Sequence, residues 1–350
     1  MTTEAPQPGG GERLRSALER TGFRASLAEE YTVGHAPAAL AGHDHQTPAH
    51  ATYYDRPALK KPEWLWYVPA YFFIGGLASG AYIIATLIDM RARPEDRTAV
   101  RSGYAIALAG MLLSPVLLIA DLGRPERFLN MLRVFKPRSM MSMGSWGLTL
   151  LGSFSALALA STVLQDLGHR ITVLRVVSWL GLLPAMFVGS YSGLLLSATN
   201  VPLWASNRLL MGPLFLSSAL SSGLAAIHVA QPLFGSPAPT TVDRIQRAER
   251  RVSAAELALM LGSLVALGRT ARPLVWGRWA VVFQFGAIGL GHLLPLVLDR
   301  LISKSRRTEL LTAGLSLAGS AMLRLAVTEA GKQSADDAVA YFEYTAPERP

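Results

Sequence analysis

The chain has 350 residues, 51% of them hydrophobic and only 16% charged, with a formal net charge of +9 and no cysteine. Without cysteine it forms no disulfide and holds no iron–sulfur cluster by thiolate. Its arginines sit in short loops between long apolar runs, with no aromatic-basic face and no recognised nucleic-acid motif, which argues against a nucleic-acid partner and for a polytopic protein in a lipid membrane.

Residues 1–60 combine Ala, Pro, Gly, His and charge without an apolar run of signal-peptide type, and read as a flexible polar extension with one short helix near residues 12–30. His35, His43, His45 and His50 in it read as solvated side chains ahead of metal ligands. Residues 61–345 form the membrane domain. A span needs about 20 apolar residues to cross roughly 30 Å of hydrocarbon. Eight segments approach that length, at residues 66–88, 103–120, 146–164, 173–197, 209–233, 254–268, 274–298 and 309–327. The expected class is therefore all-α, with eight transmembrane helices. The sixth is the weakest, being short, carrying Glu256 inside, and divided from the seventh only by Arg269, Arg272, Pro273 and Arg278.

Span 1 contains Phe72-Phe-Ile-Gly-Gly-Leu-Ala-Ser-Gly80 and span 5 contains Phe215-Leu-Ser-Ser-Ala-Leu-Ser-Ser-Gly223, so Phe, Leu, Ser and Gly recur at an offset of 143 residues, with Pro69 and Pro213 near the heads. Four spans separate the two copies, so both run in one direction. Two four-helix halves related by an axis near the membrane normal account for this, and so does a chance recurrence of small-residue packing faces.

Between spans 2 and 3, residues 121–146 place seven charged groups against the membrane. Gly123 suits a left-handed residue after a last helical turn, and Pro125 cannot continue the ladder. Phe128, Met131, Leu132 and Phe135 fall at i, i+3, i+4 and i+7, with Arg127, Asn130 and Arg133 off that stripe, as in a helix lying in the headgroup plane. Gly144, Ser145 and Trp146 then re-enter the bilayer. Loops after spans 1, 3, 5 and 7 carry thirteen Lys and Arg, those after spans 2, 4 and 6 carry nine, and five of the nine lie in this segment. The positive-inside rule therefore favours both termini on the outer side.

Ionisable groups at membrane depth are functional candidates, because insertion scales charge each about 2.5–3.5 kcal/mol at a helix centre. Glu256, Arg324, His228 and His292 lie furthest in, and Arg324 is expected to pair with Glu256 or Glu329 as a structural tie. Two interior histidines supply at most one bis-His haem, and a histidine satisfied by a neighbouring carbonyl or hydroxyl is the simpler reading, so no haem is expected.

Topology gathers the starts of spans 1, 3 and 5 and the ends of spans 2 and 4 on one side. That side holds Glu63, Trp64, Trp66 and Tyr67, then Asp121 and Arg124, Ser145 and Trp146, Tyr191, Ser197 and Asn200, and finally Trp204, Asn207 and Arg208. Aromatic walls with a few carboxylate and hydroxyl groups suit a quinone, whose carbonyls need donors able to pass protons. An aromatic belt with snorkelling arginines explains Trp64, Trp66 and Trp204, but leaves Asp121 beside Arg124, and Tyr191 and Asn200 near a span end, unexplained.

At these residues the chain resembles the NrfD/PsrC family, the quinone-interacting membrane subunits of polysulfide-reductase-type complexes. The resemblance covers roughly residues 62–345 and rests on Tyr71-Phe-Phe-Ile-Gly-Gly-Leu-Ala-Ser-Gly-Ala81, the whole 121–146 segment, Tyr191-Ser-Gly-Leu-Leu-Leu-Ser-Ala-Thr-Asn-Val-Pro-Leu-Trp204, Asn207-Arg208, Arg324 and Ala330-Gly-Lys-Gln-Ser-Ala-Asp-Asp337. It implies eight helices without haem in a bacterial cytoplasmic membrane, and a surface pocket for menaquinone or ubiquinone. It also implies docking to a four-cluster [4Fe–4S] ferredoxin-like subunit that wires the quinone to a molybdopterin oxidoreductase. On that basis Asp121 and Glu63 are candidates for proton exchange, and Trp64, Tyr67, Arg124, Tyr191 and Asn200 for the quinone pocket. A purely structural membrane anchor and an ion-translocating or transport subunit are the competing functions.

Overall fold

The computed structural model describes residues 59–169, 171–301, 305–337 and 341. The helix expected near residues 12–30 and the four tail histidines lie outside the described residues. Among the described residues eight helices are long and apolar enough to cross a membrane: Tyr67–Asp89, Pro94–Asp121, Met140–Asp166, Thr172–Ser197, Arg208–Phe234, Pro239–Val275, Arg278–Leu301 and Arg306–Ala335, spans 1 to 8 below. No strand occurs among the described residues.

Spans 1 and 5 form the centre, with 67% of each buried inside the protein against 28–44% for the others. The repeated glycines explain how they approach. A Cβ on Gly223 would lie 2.5 Å from the carbonyl carbon of Gly80, and one on Gly80 would strike the Ala219 carbonyl, so only glycine permits this backbone-to-backbone crossing. Around it the neighbours repeat. Span 1 packs on spans 2, 4 and 8, span 5 packs on spans 6, 8 and 4, span 3 joins 2 to 4, and span 7 joins 6 to 8. This is the contact pattern of two four-helix halves meeting at the 1–5 crossing.

Several ends differ from expectation for identifiable reasons. Span 3 starts at Met140, inside the segment read as loop, because Ser139 caps it by accepting from the Ser142 N–H at 3.4 Å. Span 6 is no short helix beginning at residue 254. Pro239 takes its first position and the helix runs to Leu267, so Arg244, Arg247, Arg250 and Arg251 ride on its opening turns. The break between spans 6 and 7 falls at Trp276–Gly277, where Gly277 has φ +109°, and Arg272–Val275 still belongs to the end of span 6. Span 8 continues past residue 327 to Ala335.

Two spans are irregular. In span 4 the helix Thr172–Trp179 stops and Leu182–Ser197 resumes, since Pro184 removes one N–H and crowds the carbonyl four residues back. Tyr82 from span 1 donates to the Ser178 carbonyl beside this break at 2.5 Å. In span 7, Val282–Leu293 is wound as a π-helix, a form that concentrates at functional positions.

Candidate functional site

Just ahead of span 1, whose N-cap Trp66 offers no side-chain acceptor, the Leu65 N–H donates to Asp121 Oδ1 at 3.1 Å. The carboxylate that ends span 2 thereby holds the start of span 1 beside a helix N-terminus, where negative charge is favoured. One residue earlier, the Trp64 indole stacks on Trp204 with centroids 5.8 Å apart and 17° between planes, and meets Phe72 edge-on at 6.3 Å. Lys332 near the end of span 8 donates to the Trp64 carbonyl at 2.7 Å and pairs with Glu329 at 2.5 Å. Trp204 is fully buried, donates its Nε1–H to the Val327 carbonyl at 2.9 Å, and lies flat on Gly331, where any Cβ would collide with the ring.

This corrects the belt reading. Trp66, 64% exposed and packed at 4.4 Å on the half-buried Tyr67, fits a belt; Trp204 does not. Sequence reasoning does not single out Lys332 and Gly331 beyond their place in a closing motif. Their contacts join residues more than a hundred positions apart, and the only local signal is a lysine and a glycine at the end of a long span.

The other candidates distribute unevenly. Tyr191 is buried and donates to the Met140 carbonyl at 2.6 Å, its ring filling the space over Gly144, so it pins the head of span 3 to span 4. Glu63, Arg124 and Asn200 are exposed, and Arg124 makes no ion pair with Asp121 among the described residues. Two buried polar atoms on this side have no protein partner: Trp146 Nε1, whose ring stands edge-on to Phe135 at 6.1 Å, and Asn207 Oδ1.

Beside the site, Gly123 takes φ +68° and Phe128–Arg133 forms the expected surface helix. Phe128, Met131 and Leu132 turn inward while Arg127, Asn130 and Arg133 face out; Phe135 is 55% exposed. Arg124, Arg127, Arg133, Lys136 and Arg138 are all exposed, and none forms an ion pair among the described residues.

Deeper in the bundle the expected Arg324 pairings are replaced. Arg324 is fully buried and donates to Ser218 Oγ at 2.7 Å and Ser320 Oγ at 2.6 Å, with its guanidinium over the Phe215 ring. Glu329 pairs with Lys332 instead, and Glu256 Oε2 faces His292 Nε2 at 3.2 Å. Two serines and a ring face hold the guanidinium, whose neighbours on spans 5 and 8 offer hydroxyls and no carboxylate. His228 lies near the far end of span 5, 3.9 Å from carboxylate oxygens of both Glu249 and Glu309.

Fold and site define an eight-span membrane protein with an aromatic, carboxylate-bearing site at one face and an unpaired basic shelf beside it. A family model described as "Polysulphide reductase, NrfD" matches residues 59–335, and the chain belongs to that family. Among its relatives, Protein NrfD of Escherichia coli (strain K12) is 29% identical over 303 residues, 77% of this chain and 95% of that protein. The C subunit of the Wolinella succinogenes polysulfide reductase is 28% identical over 306 residues, covering 77% and 94%. The Protein NrfD homolog of Haemophilus influenzae is 27% identical over 308 residues, covering 77% and 94%.

Proposed function

We propose that this chain is the quinone-interacting membrane-anchor subunit of a respiratory oxidoreductase in a bacterial cytoplasmic membrane, passing electrons between the quinone pool and a partner iron–sulfur subunit. The observation that carries this is the stacked Trp64–Trp204 pair, fixed through Lys332 and standing beside Asp121 where spans 1, 2, 5 and 8 meet. The name of the Wolinella succinogenes relative, one of several polypeptides of a polysulfide reductase, supports a multisubunit setting. A ferredoxin-like subunit with four [4Fe–4S] clusters, itself joined to a molybdopterin oxidoreductase, is the partner the basic shelf would dock. More arginine and lysine after odd-numbered spans, thirteen against nine, supports both termini on the outer side.

Menaquinone or ubiquinone supplies the two-electron, two-proton chemistry itself. The orphan Trp146 indole N–H fits such a ligand, since a quinone carbonyl needs a donor and this N–H is buried without an acceptor. Trp64 and Tyr67 provide apolar walls. Asp121, half-buried, holds or releases a proton at the carboxylate oxygen that Leu65 does not occupy, and the exposed Glu63 exchanges it with water. Tyr191, whose hydroxyl donates to the Met140 carbonyl, acts as a positioning residue for span 3, which carries Trp146. Arg124 and Asn200, both exposed, are left to the rim.

In the assembled complex, Asp121→Asn should lower quinone-coupled turnover roughly a hundredfold, the scale of a lost proton-transfer group. Trp146→Phe should raise the KM for quinone with the partner still bound. Wild-type turnover and KM in both variants would sink this site.

A further inference from the structure

The face opposite the Trp64 site holds a cavity of about 40 Å³, enough for a few waters, among the ends of spans 5 to 8. Its rim is acidic and titratable. His228 lies between Glu249 and Glu309, while Arg250 and Asp299 pair at 3.4 Å on the same wall. On spans 6 and 7 its inner wall is about one helical turn from the buried Glu256 and His292, and on span 8 one turn from the buried Ser320. Ser253 precedes Glu256 by three residues, Pro295 follows His292 by three, and Ser316 precedes Ser320 by four, spacings that place side chains on one helix face.

The pair beyond that wall is incompletely satisfied. Glu256 and His292 are 0% and 2% exposed, and neither oxygen of Glu256 nor Nε2 of His292 has a hydrogen-bond partner despite their 3.2 Å separation. The π-helix directs His292 Nδ1 at the Ala287 carbonyl five residues back, 2.9 Å away. A carbonyl only accepts, so Nδ1 carries the hydrogen and Nε2 is left to exchange a proton with Glu256. Arg324 on span 8 donates to Ser218 on span 5. Along span 8 the buried residues Ser316, Ser320, Arg324, Thr328 and Lys332 recur every four positions. They cover roughly 24 Å at 1.5 Å per residue, most of the hydrocarbon thickness.

We propose that the cavity is the mouth of a proton half-channel that connects the Glu309 face with the Glu256–His292 pair. A proton arriving from bulk water is held at His228 between its two carboxylates and passes through cavity water to the Glu256 carboxylate, forming the neutral acid. Glu256 transfers it to His292 Nε2, leaving a carboxylate beside an imidazolium, and the return follows the same route. The count is one proton in and one proton out, with no electron involved. This does not rest on the quinone reading.

The test uses the full chain in lipid nanodiscs and infrared difference spectroscopy after a pH jump and a transfer to D2O. Wild type should show a carboxylic-acid band that shifts in D2O and vanishes in Glu256→Gln. Thr312→Phe, which fills the cavity and leaves Glu256 in place, should keep the band and slow its exchange at least roughly tenfold, equivalent to about 1.4 kcal/mol of added barrier. Absence of the band in wild type, its survival in Glu256→Gln, or wild-type exchange in Thr312→Phe would each overturn the proposal, as would a band that responds to sodium and not to pH.

Discussion

The two membrane faces treat their positive charge differently. At the Glu309 face five arginines are tied to carboxylates of the same chain, Arg97 and Arg101 to Asp166, Arg175 to Asp89, Arg244 to Glu95 and Asp96, and Arg250 to Asp299, at 2.7–3.4 Å, while Arg91, Arg93, Arg247, Arg251, Arg300, Arg306 and Arg307 are exposed without an ion pair among the described residues. At the Trp64 face the five basic residues of the 121–138 segment are exposed and have no ion pair among the described residues. The first face answers five of its arginines internally. The second presents charge that a partner or anionic lipid must answer, next to the candidate site.

That contrast can be broken by substitution. The largest effect should follow from changing Arg124, Arg127, Arg133, Lys136 and Arg138 together to Gln. At about 0.2–1 kcal/mol for each exposed pair, their loss should weaken association with the iron–sulfur partner by roughly fivefold to a few thousandfold, read as co-purification from membranes. Span packing and thermal unfolding should not change. Arg244→Gln should do the reverse. It takes the ion-pair partner from Asp96, whose side chain is 5% exposed and keeps only the Thr241 hydroxyl, so it should cost about 1–3 kcal/mol of stability in a thermal melt with partner binding intact. Lys332→Met frees the Trp64 carbonyl and leaves Glu329 unpaired, and should cost about 1–3 kcal/mol and lower quinone turnover together, because it loosens the stacked tryptophans. Trp66→Ala, at an exposed belt position, should change stability by less than about 0.5 kcal/mol.

The eight spans are legible in the sequence, because length and apolarity are local properties that lipid enforces residue by residue. Span ends are less legible. Pro239–Val252 is polar enough to read as loop, yet helix propensity and an N-terminal proline continue the helix above the membrane. Pro184 and Gly277 are visible in the sequence, but only the structure makes them a break and a boundary. In the site, Asp121 and Trp64 follow from topology alone, since consecutive spans must return to the same face. Lys332 under Trp64, Gly331 under Trp204, and Arg324 among serines and not carboxylates are tertiary choices. No periodicity encodes which distant partner a buried charge selects.

Whether a quinone binds at the Trp64 face can be decided with a photoreactive quinone analogue applied to the assembled complex. A site there should give saturable labelling on peptides containing Trp64, Trp146 or Trp204, suppressed by excess native quinone and reduced in Trp146→Phe. Labelling that does not saturate, or that spreads evenly over lipid-facing helices, would contradict it and leave a structural anchor.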